Sequence, residues 1–151
     1  MIRTILFLIF SLCPLFAGAA RYGNKEFRFS IVVPENMPLV EDGKDNRLFY
    51  AFNGEHGISV YGWKAEEGKA YKFRKMVKSY AEDLPVGAEL IKDFEYAPFY
   101  NILRHSAVRE YRDAEGFRVK ELVAMRSRTL FYIRVISVKD DGFDDSILAS
   151  V

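Results

Sequence analysis

The residues best suited to chemistry in this chain are two histidines, one cysteine and scattered acids, and their spacing argues against most reactions. His56 follows Glu55 in the glycine-flanked stretch Asn53-Gly-Glu-His-Gly57. A histidine beside a carboxylate has the makings of a general base or of one metal ligand. A metal site needs three or four convergent donors, and neither H-x-x-x-H nor H-E-x-x-H occurs. The expectation for His56 is therefore a solvated loop. His105 should share a strand face with Leu103 and Ala107, which predicts a partly buried, hydrogen-bonded side chain. Serine hydrolysis finds no support: Gly57-Ile-Ser-Val-Tyr61 fails the G-x-S-x-G pattern at its last position. Ser106 adjoins His105 and so points to the opposite face of a regular strand. Paired carboxylates stay open, because acids are common here and sequence does not show which of them meet.

Glu41-Asp-Gly-Lys-Asp-Asn46 and Asp140-Asp-Gly-Phe-Asp-Asp145 offer oxygen ligands of the kind calcium takes. Neither has the D-x-D-x-D-G spacing with a distant glutamate, and Asp144 and Asp145 fit better as helix-start residues. No metal and no cofactor is expected at any position. A stronger candidate is a partner-binding patch formed by Tyr71, Lys72, Arg74, Lys75 and Lys78. Clustered cations beside an outward aromatic suit an acidic protein partner or anionic lipid heads. Arg118, Lys120 and Arg126 share a second face, but the interleaved Leu122 and Ala124 predict that it is partly covered.

These residues must be carried by a recognisable set of elements. Phe27, Phe29, Ile31 and Val33 alternate with polar residues from Lys25 to Val33, a strand that Pro34 ends. A loop runs from Pro34 to Asn46. Leu48–Asn53 and Gly57–Ala65 read as a hairpin. The period then changes: Phe73, Met76, Val77, Tyr80 and Leu84 recur at helical spacing until Pro85 and Gly87 stop the run. Strands return at Leu90–Tyr96, Ile102–Tyr111, Phe117–Met125 and Leu130–Val138, and a short helix closes the chain with Phe143, Ile147, Leu148 and Val151 on its buried side. Short connections imply a mostly antiparallel sheet of six or seven strands. Apolar residues on both faces of the last strand, Phe131, Ile133 and Val135 against Leu130, Tyr132 and Ile136, call for cover on both sides. The predicted class is α+β, an α/β/α sandwich in which the two helices and the Pro34–Asn46 loop supply that cover.

Residues 1–20 have the form of a secretory signal peptide: Arg3 near the start, an apolar run from Ile5 to Phe16, and small residues to Ala20. The run is shorter than the roughly 20 residues a bilayer span needs. Cleavage after Ala19 or Ala20 and a periplasmic or secreted address are expected, with residues 21–151 forming one domain. Cys13 lies within the leader. Bacterial lipidation needs a small residue before the cysteine, and Leu12 stands there, so an inert position is expected. The rest of the chain then lacks disulfides and thiol chemistry. Arg3 is one of 22 Lys and Arg residues, so the remainder matches the 21 Asp and Glu, and near-neutrality argues against nucleic acid as a partner.

The two ends of the predicted domain resemble the PsbP-like and Mog-type group of α/β/α sandwiches, which includes DcrB-like bacterial envelope proteins. Phe27-Arg-Phe-Ser-Ile-Val-Val-Pro-Glu35 is similar to that group's opening strand. Leu130-Phe-Tyr-Ile-Arg-Val-Ile-Ser-Val-Lys-Asp-Asp-Gly-Phe143 and Ile147-Leu-Ala-Ser150 are similar to its last strand and closing helix. The tryptophan usual soon after the opening proline is replaced by Met37-Pro38. The resemblance implies a non-enzymatic role in binding a protein partner or supporting an assembly, and carries no catalytic motif. Two other functions stay open. The aromatic surplus, including Trp63, Tyr96, Phe99 and Tyr100, suits a binder of a small hydrophobic molecule or lipid, and the acids and His56 suit a hydrolase.

Overall fold

The alternation from Phe27 to Val33 does build a strand, but that strand belongs to a small layer of its own. The computed structural model describes residues 18–67, 72–96 and 105–151. The strands are β1 (Ala19–Asn24), β2 (Phe29–Pro34), β3 (Leu39–Val40), β4 (Arg47–Phe52), β5 (His56–Lys64), β6 (Glu89–Tyr96), β7 (His105–Arg112), β8 (Arg118–Arg126) and β9 (Thr129–Ser137). The helices are α1 (Phe73–Glu82) and α2 (Phe143–Ala149), with a 3₁₀ turn at Lys44–Asn46. β1 and β2 pair as a two-stranded antiparallel sheet, and the other seven strands form one sheet in the order β3-β4-β5-β9-β8-β7-β6. Every neighbouring pair in that sheet is antiparallel.

Local turns account for most of this order. Asn53 accepts hydrogen bonds from the Glu55 and His56 N–H groups and turns β4 into β5. Asp113 does the same for Glu115 and Phe117 between β7 and β8. The one long-range pairing is β5 with β9, an unbroken ladder from His56↔Ser137 to Lys64↔Thr129. It joins the front hairpin to the back meander.

The main core lies on one face, where Phe49, Ile58, Val60, Leu122, Phe131, Ile133 and Val135 meet Ile31, Val33, Met37, Ile147 and Leu148. The cover here is the β1–β2 hairpin and α2. The expectation that the Pro34–Asn46 loop would serve as cover is met by Met37 alone, and the opening strand lies over the sheet instead of joining it. The cause is β1: its backbone satisfies β2 from Ala19↔Pro34 to Asn24↔Phe29, leaving β2 free to layer. Close approach of the hairpin requires Gly62, since a Cβ there would stand 3.0 Å from the Phe27 ring. The opposite face is covered by α1, whose Phe73 and Val77 pack on Ala107, Val123 and Leu130. The α1 cover ends at Glu82, and the site lies beyond that end.

Candidate functional site

Three charged residues interrupt the α1-side face of the sheet in one cross-strand row. Arg109 of β7 pairs in register with Glu121 of β8, which pairs with Arg134 of β9, which pairs with Ser59 of β5. Arg109 and Glu121 are buried, with side-chain exposures of 3% and 2%. Such a pair must be neutralised and hydrogen-bonded to persist. Arg109 donates from Nε (3.0 Å) and Nη2 to Glu121 Oε2, and from Nη1 to the Tyr80 carbonyl at the end of α1 (2.8 Å). Tyr111 donates to Glu121 Oε1 at 2.8 Å, and Tyr132 donates to the same oxygen. All the acceptor positions of Glu121 are thereby engaged.

Burial first, and then the Glu121 charge, push the Tyr111 and Tyr132 phenols well above their ordinary range. Both therefore serve as donors, and neither is a base. Arg134 stands apart. It lines the same pocket, its Nε is buried, and among the described residues it has no hydrogen-bond partner.

The row floors a pocket of about 340 Å³. Its walls are aromatic: Tyr61 stacks on Trp63 at 6.1 Å and 11°, and Tyr80 stacks on Tyr132 at 5.1 Å and 7°. Asp45, Asp83 and Pro85 stand around it, the two acids exposed to water. Its buried carboxylate, Glu121, is saturated, and the Tyr111 and Tyr132 phenols are held protonated.

The residues singled out from sequence are distributed elsewhere. His56 is not in a solvated loop: it opens β5, is 9% exposed, stacks on Phe143 at 4.1 Å and sits 2.9 Å from Asp141. Pairing with β9 draws it under the start of α2, where it latches that helix to the sheet. Burial opposes ionisation of Asp141, but the Phe143 N–H and His56 outweigh it and hold the carboxyl below its usual range. Ser137 faces His56 in the ladder, and its hydroxyl is buried with no hydrogen-bond partner among the described residues. His105 is exposed, contrary to the partly buried expectation, because it starts β7 with its ring 5.5 Å from Phe73. Ser106 beside it is buried, on the other face as alternation requires.

Lys72, Arg74, Lys75 and Lys78 are all exposed, with no ion pair among the described residues. Lys72 caps α1 and is not within it. Tyr71, Phe99, Tyr100 and Cys13 lie outside the described residues. Trp63 lines the pocket, while Tyr96 is 54% exposed on the edge strand. The acidic segments face cations: Asp42 binds Arg47, and Asp144 and Asp145 lie 3.2 and 2.7 Å from Lys120. Burial disfavours the Lys120 charge, yet these two carboxylates raise its pKa overall. Lys120 is thus covered, as Leu122 and Ala124 beside it implied.

Sequence reasoning missed Arg109, Tyr111, Glu121, Tyr132 and Arg134 as a group. The readable signal was a charge inside an apolar face in three successive strands: Ala107-x-Arg109-x-Tyr111, Val119-x-Glu121-x-Val123 and Tyr132-x-Arg134-x-Ile136. Only the register shows that they form one row.

No family model and no curated protein matches the chain in sequence. Among solved structures, cyanobacterial PsbP (CyanoP) from Synechocystis superposes with a TM-score of 0.62 at 14% identity, covering 94% of this chain and 96% of that one. A protein of unknown function from Pseudomonas aeruginosa gives a TM-score of 0.38 at 14% identity, over 83% of this chain and 87% of that one, too weak to carry an argument. The fold is PsbP-like, an α+β sandwich, as the end motifs implied.

Proposed function

We propose that this chain is a non-enzymatic binding protein, exported by its N-terminal leader, that docks an acidic protein partner against α1. The observation that carries the reading is a charge arrangement that opposes the helix. The positive end of a helix dipole lies at its N-terminus, where acids stabilise and cations destabilise. α1 has no acid in its first turn and no base in its last. Lys72, Arg74 and Lys75 crowd its start, and Glu82 and Asp83 stand at its end. Folding gains nothing from this order, so recognition is the better reason for it. Edge strand β6 runs beside α1 and exposes Leu90, Ile91 and Tyr96, an apolar complement to the cations. A non-enzymatic role agrees with the saturated Glu121 and with the burial of Ser137, the serine that faces His56 in the ladder.

The test is crosslinking in the native host with a C-terminally tagged chain, followed by purification and mass spectrometry. The expected result is a stoichiometric envelope protein that disappears from a Lys72→Glu/Lys75→Glu/Lys78→Glu variant. Recovery of the chain alone, or of anionic lipid without protein, would refute the reading. N-terminal sequencing should begin at Ala20 or Arg21, and a Met1 start would remove the export claim.

The pocket beyond α1 favours a second reading, a small-ligand binder. Its volume is within the range of ligand sites, about 300–1,000 Å³, and its stacked aromatics supply an apolar wall. A ligand retained through purification, seen by native mass spectrometry, would favour this reading, and a clean apo mass would count against it.

A further inference from the structure

Arg134 is a cation with no acceptor, and this sets the chemistry of the pocket. Its cross-strand neighbour is Glu121, the natural counter-ion. That carboxylate is spent: Tyr111 and Tyr132 occupy Oε1, and two nitrogens of Arg109 occupy Oε2. A carboxylate accepts about four hydrogen bonds, so nothing is left for Arg134. Its Nε is buried and unbonded. Leaving a buried donor unsatisfied is costly, and a chain that needed only packing here would be served by an apolar residue. Asp45 and Asp83 do not relieve the charge, since both are exposed and form no ion pair among the described residues.

We infer that the pocket binds a monocarboxylate with a flat apolar body, the carboxylate on Arg134 and the body against Tyr61 and Trp63. Each part follows from the geometry. Arg109 and Glu121 cancel, so Arg134 is the one uncancelled charge of the cross-strand row, with the carboxylates of Asp45 and Asp83 exposed to water at the rim. A single negative charge matches it, whereas the second charge of a dianion would find no unpaired cation in the row. The planar guanidinium suits a carboxylate, with two parallel N–H···O bonds. The stacked walls suit a planar apolar group. The inference rests on the ligand-binding reading and narrows it to one chemistry. Two sources supply that chemistry: a free small acid, or the C-terminal residue of a polypeptide.

Trp63 is the only tryptophan in the chain and lines the pocket, so its emission reports occupancy directly. The mature protein is titrated with 3-phenylpropionate and with 3-phenylpropanamide. It is also titrated with an N-acetylated tripeptide ending in phenylalanine, as the free acid and as the amide. At least one acid should shift the emission saturably, and its amide should bind at least tenfold more weakly. Arg134→Gln should remove that preference and leave amide binding unchanged, with Arg134→Lys in between. Among the described residues Arg134 makes no hydrogen bond, so the variant should fold, and the acid–amide comparison on wild type needs no variant. A free acid that binds while the peptide does not identifies a small-molecule ligand, and the converse identifies a chain terminus. Acid and amide binding alike would overturn the carboxylate assignment while leaving a ligand pocket. No response to any probe up to 10 mM (about 3 kcal/mol of binding) would overturn it as well, and a clean apo mass beside that result would remove the ligand reading too.

Discussion

Glu121 is a single side chain on which two strands and a helix depend. Its partners reach it from β7 and β9, and Arg109 carries the connection on to the last turn of α1. Removing one charge from a buried pair is far worse than removing both. Glu121→Gln should therefore cost about 3–5 kcal/mol in urea unfolding. Arg109→Met/Glu121→Gln should recover part of that loss, because no buried charge remains and the amide oxygen still accepts from the phenols. A double variant no more stable than the single one would show that charge is not the issue. The phenols add a pH signature. Their pKa values are raised in the folded state above the ordinary phenol value of about 10, so the folded chain keeps protons that the unfolded chain releases. Their contribution is complete below about pH 10 and declines as pH climbs toward the folded values. Stability should thus fall above pH 10, and Tyr132→Phe should flatten that fall. An unchanged slope in the variant would contradict this.

At the level of elements, α1 offers a clean separation of folding from recognition. Lys75→Glu places an acid in the first turn, where it should raise stability by about 0.3–1 kcal/mol while weakening capture of an acidic partner. A variant that loses stability would mean that Lys75 helps to hold the helix. The β1–β2 hairpin invites a second comparison. A chain starting at Arg21 keeps the pairs from Arg21↔Val32 to Asn24↔Phe29 and the Tyr22 ring, 4.4 Å from Phe49. It should melt close to a chain starting at Gly18. A chain starting at Lys25 exposes that side of β2 and loses the half-buried Tyr22 ring, and it should melt below both. Equal melting of all three would show that the hairpin is not part of the core. The same hairpin marks what sequence carried and what it did not. Alternation and turn residues located β4 to β9, and helical spacing located α1, because these signals are local. β1 was hidden because Ala19-Ala20-Arg21-Tyr22-Gly23-Asn24 has no alternation of its own and begins inside the stretch that reads as a leader. The site was hidden for a different reason. His56 and the α1 cations are conspicuous by type, whereas Arg109, Glu121 and Arg134 become a cluster only when β7, β8 and β9 fall into register.

Across the whole molecule, one sheet separates two layers of unequal depth. The hairpin and α2 seal one face through a large cluster that includes Ile31, Val33, Ile147 and Leu148 at 4% exposure or less. Among the described residues the other face is covered by α1, through the smaller cluster of Phe73 and Val77, the Tyr80–Tyr132 stack and the Arg109 bond to the Tyr80 carbonyl. Apolar burial dominates stability, so α1 should detach at a lower free energy than the rest of the sheet comes apart. Its amides should then exchange by a sub-global opening, well before those of β5, β8 and β9, which lie in the centre. The proposed pocket lies at the end of this weaker layer, with Tyr80 as part of its wall. A carboxylate ligand that bridges Arg134 and the aromatic wall would stabilise only the closed arrangement, and should slow α1 exchange while leaving the central strands unchanged. Native-state hydrogen exchange with and without 3-phenylpropionate measures both effects together. If α1 exchanges with the same free energy as β9, the layers form one cooperative unit, and binding beyond α1 has no separate opening to act on.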